Sequence, residues 1–120
     1  MSDSDCEMTV YDQEMGILPD NWNGRKSPAP TPGAITSAAL LVHMMIDRNL
    51  EPTRLAPSAV GGVGVTRRLG ERLVYVECYN HGKVYAIFSD DQSEGETHRV
   101  RPDRIGVEQF LGLMEAYLDG

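Results

Sequence analysis

Cys78 and His81 stand three residues apart, and a thiol beside an imidazole is the pairing that activates a cysteine nucleophile. The alternation around Cys78 places it with Val74 and Val76 on the apolar side of a strand, where a thiol is inert. His81 falls instead in an Asn-His-Gly turn. The histidines His43, His81 and His98 follow no zinc spacing, and neither Cys6 nor Cys78 belongs to a CxxC pair. Asp90, Asp91, Glu94 and Glu96 offer oxygen ligands for calcium, but their spacing departs from the EF-hand loop and reads as a solvated turn. Gly61-Gly62-Val63-Gly64-Val65 lacks the lysine and the following helix of a phosphate loop. The chain is therefore expected not to be an enzyme, and to need no metal and no cofactor. Only convergence of His81 or His98 with Asp90 or Glu96 in a pocket would reverse that expectation.

A different group of residues points to binding. Tyr75, Tyr79, Tyr85 and Ile87 share one face of two consecutive strands, with Glu77 among them. The solvent face of an antiparallel sheet is normally polar, so three tyrosines mark a surface that something covers or contacts. A partner protein, a second copy of the chain, or this chain's own N-terminal arm or Trp22 loop would each satisfy the pattern. Arg67, Arg68, Arg99 and Arg101 are expected to rim the face. Aromatics with arginines on a sheet also suit single-stranded nucleic acid, but the RNP-type signature is missing and the net charge is −7. Trp22 is the fifth candidate: an indole within an irregular loop either anchors the loop to the core or serves as a partner hot spot.

Residues 1–17 read as an acidic, partly ordered arm, and residues 18–120 as a single domain. Thr31-Pro32 opens a helix, with Ile35, Ala38, Ala39, Val42, Met45 and Ile46 at helical spacing. Asn49 ends it and Pro52 prevents its resumption. Arg54–Ser58 is a short extended piece, confined to an edge by Pro52 and Pro57. Val63-x-Val65 begins a strand that breaks at Leu69-Gly70, and Leu73–Tyr79 and Val84–Phe88 flank a hairpin turn at Asn80-His81-Gly82. Thr97–Arg101 is expected as the last strand, after an acidic loop over Asp90–Glu96. Val107, Phe110, Leu111, Met114, Tyr117 and Leu118 mark a second amphipathic helix. The order predicts an α+β fold of two layers, an antiparallel sheet of three to five strands with two helices on one face.

The 120 residues suffice for one core burying roughly two thirds of the unfolded surface. Charge is unevenly placed: residues 1–24 hold six acids and no lysine or arginine, whereas the middle of the chain is mildly basic. The acidity argues against direct nucleic-acid binding and for a basic protein partner. The apolar run Ala38–Ile46 is too short to span a bilayer, the N-terminus has no apolar signal segment, and two distant cysteines suit a reducing compartment. The expected location is the cytoplasm.

LPDNWNG, then PAPTPGAITSAA, a proline-containing link into GGVGV and the YVECYNHGKVY hairpin follow one another between Leu18 and Phe88. This succession resembles a family of small bacterial proteins of uncharacterised activity, patterned LPxxWxG, a proline before Ala-Ile, P…GG and a glycine hairpin turn. Its members sit near mobile-element or toxin–antitoxin-type genes. The resemblance implies a cytosolic protein-binding role and transfers no site residue. The function expected is a non-enzymatic interaction module, antitoxin- or immunity-like, that occludes a partner. The alternatives are an acidic inhibitor of a nucleic-acid-handling defence complex, encoded by a phage or mobile element, and a small enzyme.

Overall fold

A computed structural model of the chain describes residues 28–90 and 94–119. Helix α1 (Pro32–Asp47) begins where the sequence places it: Thr31 Oγ1 accepts from the Ala34 N–H at 3.2 Å, and Pro32 occupies the first turn. It ends at Asn49, whose φ of 61° is the left-handed cap that asparagine tolerates, and the Leu50 N–H returns to the Met45 carbonyl at 2.8 Å. Five strands follow, β1 (Arg54–Pro57), β2 (Gly62–Leu69), β3 (Arg72–Tyr79), β4 (Val84–Ser89) and β5 (Glu94–Val100), and helix α2 (Arg104–Asp119) closes the order. The strands form one antiparallel meander in the spatial order β1-β2-β3-β4-β5.

The alternation fixes what each side of this sheet does. Val63, Val65, Val74, Val76, Cys78, Val84, Ala86, Phe88 and Val100 point to one side and are all buried. Leu41, Val42 and Met45 of α1, with Val107, Phe110, Leu111 and Met114 of α2, complete the same core. Both helices therefore cover one face, and the fold is α+β in two layers. Phe88 stacks between α2 aromatics, 5.9 Å from Phe110 and 5.1 Å from Tyr117 between ring centres. Asp103 caps α2 by accepting from the Gly106 N–H at 2.7 Å. The Arg101 guanidinium and that N–H hold the Asp103 carboxyl below its ordinary range.

β5 starts at Glu94, three residues before the expected Thr97, so the acidic loop is shorter than its composition suggests. An exposed edge strand of polar residues carries no apolar alternation to announce it. The pairing with β4 shifts register between Ile87 and Ser89, the mark of a bulge. No helix among the described residues is long and apolar enough to cross a membrane.

Candidate functional site

The face of the sheet turned away from α1 and α2 is built in cross-strand rows. Ala56, Gly64, Glu77, Tyr85 and Arg99 lie in register across all five strands, and Arg54, Thr66, Tyr75, Ile87 and Thr97 form the neighbouring row. Glu77 is therefore the central carboxylate of the face, on the central strand, half-buried. Ser58 donates its hydroxyl to Glu77 Oε1. Ser58 itself is buried and held by its backbone: its N–H reaches the Gly62 carbonyl at 2.9 Å, and its carbonyl accepts from the Gly61 N–H at 3.1 Å. The positive φ of Gly61, 100°, lets the chain turn tightly enough to bring Ser58 over β3.

Tyr75 and Tyr79, two positions either side of Glu77 on β3, share its face and stand beside its carboxylate. Burial, and then the neighbouring Glu77 charge, pushes the Tyr75 phenol up to about 12. Tyr79 shifts in the same direction, through burial and then its polar contact with Glu77. Both rings stay protonated at neutral pH. The Tyr75 ring leans over Gly64: a Cβ there would lie 2.6 Å from Tyr75 Oη and 3.0 Å from its Cε2. Only glycine leaves the ring this space.

The Tyr75–Glu77–Tyr79 ridge separates two hollows. One, of about 410 Å³, is bounded by Arg54, Ser58, Val60 and Thr66 on the far side of the ridge. The other, of about 270 Å³, is lined by Tyr75, Glu77, Tyr79, Tyr85, Ile87 and Thr97. In the smaller hollow the Tyr79 and Tyr85 rings meet edge to face, 5.9 Å apart at 79°. His81 stacks on Tyr79 at 4.9 Å and 10°, bracing that wall from the hairpin turn.

The structure thus brings Tyr75, Tyr79, Tyr85 and Ile87 together as the alternation predicts. Trp22, the fifth candidate, lies outside the described residues, as does the N-terminal arm offered as a cover. The expected arginine rim needs correction. Arg67 pairs in register with Val74, on the helix side, and its Nη1 donates to the Glu51 carbonyl at 2.6 Å. Arg101 stands past the end of β5 and binds Asp103 at 2.7 Å. Arg68, opposite Leu73, and Arg99, opposite Tyr85, stand on the outer face as expected, and Arg54, opposite Thr66, joins them. Ser58, Gly64 and the role of Glu77 were missed, because hydroxyl, glycine and lone glutamate acquire meaning only through register.

Of the catalytic pairings weighed from the sequence, only His98 with Glu96 meets among the described residues. Cys78 is buried in the core, where desolvation and then the Glu77 charge push its thiol up to about 12, and His81 is exposed at the turn. His98 Nε2 lies 3.3 Å from Glu96 Oε2 at the edge of the sheet, with no nucleophile beside the pair among the described residues. No group of three metal-ligating side chains occurs among the described residues, and Asp91 lies outside them. Set against protein-family models, curated proteins and solved structures, the chain matches none.

Proposed function

We propose that the protein is a non-enzymatic interaction module that binds a partner protein through the outer face of its sheet. The observation that supports this is the placement of three tyrosine rings and Ile87, part-exposed, around one carboxylate on the face opposite the two described helices. Tyrosine provides large, rigid, amphipathic contact area at low entropic cost, and such rings dominate protein interfaces. The resemblance to small bacterial proteins near toxin–antitoxin-type genes supports an outcome of occlusion, in the manner of an antitoxin or immunity protein. The face itself does not favour imitation of nucleic acid: among the described residues, the Glu77 carboxylate stands between Arg54 and Arg99 rather than in a row of acids.

The test is recovery of a stoichiometric partner from the native host with the wild type, with Tyr75→Ser/Tyr85→Ser, and with Leu113→Ser on the exposed surface of α2 as control. The partner is expected with the wild type and the control and lost with the double variant, while the melting temperature of the double variant stays close to wild type. Equal recovery by all three, or a monomer with no stoichiometric partner, overturns the proposal. Concentration-dependent sedimentation lost only in the double variant would identify the partner as a second copy.

A further inference from the structure

The smaller hollow joins two features that rarely coincide on a sheet surface: a carboxylate wall and a set of aromatic faces. Building on the reading of the outer face as a partner-binding surface, we infer that this hollow receives the guanidinium of one arginine projecting from the partner protein. Glu77 Oε1 accepts from the Ser58 hydroxyl, and the neutral phenols of Tyr75 and Tyr79 stand beside the same carboxylate. Hydroxyls orient a carboxylate without cancelling its charge, and a partly desolvated charge gains most from an opposite one. Among the described residues no lysine, arginine or histidine forms an ion pair with it: the arginines and histidines that do pair are engaged with other acids. The two oxygens of a carboxylate hold about four acceptor positions, and Ser58 takes one of them, which leaves room for the N–H groups of a guanidinium.

The walls select among cations. Tyr79 and Tyr85, set at 79° to one another, offer one ring face and one ring edge, and a planar guanidinium can stack on the face while its N–H groups point toward Glu77. A hollow of about 270 Å³ falls just under the usual range for small-molecule pockets, and matches the end of one side chain rather than a whole ligand. Arg54 and Arg99 at the rim repel a run of basic residues, so the face suits a single arginine flanked by neutral or acidic residues.

The experiment titrates the ¹⁵N-labelled full chain with Nα-acetyl-arginine amide, and in parallel with Nα-acetyl-citrulline amide, its neutral isostere, following backbone amides by NMR. Arginine is expected to shift the amides of Tyr75–Tyr79 and Tyr85–Ile87, with citrulline at least tenfold weaker. Glu77→Gln should weaken arginine binding at least tenfold, and Tyr85→Leu several-fold. Should Glu77→Gln fail to fold, the comparison of arginine with citrulline on the wild type still decides. Equal response to the two probes, shifts located elsewhere, or no saturable shift with arginine overturns the inference. If the arginine probe fails while Tyr75→Ser/Tyr85→Ser still abolishes partner recovery, the arginine pocket falls and the interaction face stands.

Discussion

Gly64→Ala tests the geometry of the face without altering any group that would touch a partner. The new methyl would stand 2.6 Å from Tyr75 Oη, whereas ordinary contact begins near 3.4 Å, so the ring must move by close to 1 Å. That displacement draws the phenol away from the Glu77 carboxylate beside it. The lost polar contact costs roughly 1 kcal/mol, below the 1.5–3 kcal/mol typical of hydrogen bonds to charged partners, because water reaches a half-buried phenol. Alanine in place of glycine returns about 0.4–1 kcal/mol by narrowing the unfolded ensemble. Gly64 adopts no left-handed φ, so the backbone adds no strain. Net stability should therefore change by no more than about 1 kcal/mol, while the Tyr75 phenol falls from about 12 toward its ordinary value of 10.0 as it leaves its buried place beside Glu77. Tyrosine ¹³Cζ resonances followed from pH 8 to 12 would report this, with Tyr75→Phe to assign the signal and Tyr85 and Tyr117 as internal references. A Tyr75 signal that titrates as late in Gly64→Ala as in the wild type would refute the placement of the ring. So would a loss of stability well beyond 1 kcal/mol, which would show that the ring has no room to give.

The raised Tyr75 and Cys78 values also set the alkaline limit of the fold. The folded state keeps both protons to about pH 12, whereas the unfolded chain releases them near 9.0 and 10.0, so their contribution is complete below about pH 9 and lost as pH rises toward 12. Cys78→Ala should flatten the lower part of that decline in urea midpoints measured from pH 7 to 11, and an unchanged slope would count against it. Leu111, fully buried between α2 and the sheet, should cost about 2–5 kcal/mol when replaced by alanine, read as a fall in urea midpoint at constant m-value. Thr31→Ala removes the cap of α1 and should cost about 1 kcal/mol by thermal unfolding, against a near-zero effect for Thr36→Ala on the exposed side of the same helix.

The fold was largely legible because its signals are periodic. Val74-x-Val76-x-Cys78 and Val84-x-Ala86-x-Phe88 announce which side of the sheet meets the helices, and Thr31-Pro32 and Asn49 mark the limits of α1 by local backbone chemistry. β1 was legible through the prolines that confine it to an edge, whereas β5 was harder, since an edge strand that faces solvent needs no apolar alternation. Arg67 was misplaced by assuming that arginines near the tyrosines share their face. Its pairing with Val74 sets it on the helix side at the end of β2, where Glu51 holds it.

The site was legible only as a set of rings, because a list of outward residues says nothing about which strand neighbours meet. Gly64 reads as one glycine of a turn-forming cluster until the β2–β3 register sets it opposite Glu77 and under the Tyr75 ring. Ser58 reads as a loop residue until Gly61 folds the chain back and aims its hydroxyl at the same carboxylate. The Ser58 hydroxyl, reaching in from a separate segment, holds that carboxylate in a fixed direction, with the Tyr75 and Tyr79 phenols on either side and the Tyr85 ring beside Tyr79. A side chain fixed in that way loses little entropy when a partner binds. A residue that merely kept the sheet soluble would gain nothing from such restraint. The convergence on Glu77, more than the number of tyrosines, is therefore the feature that marks this face for recognition.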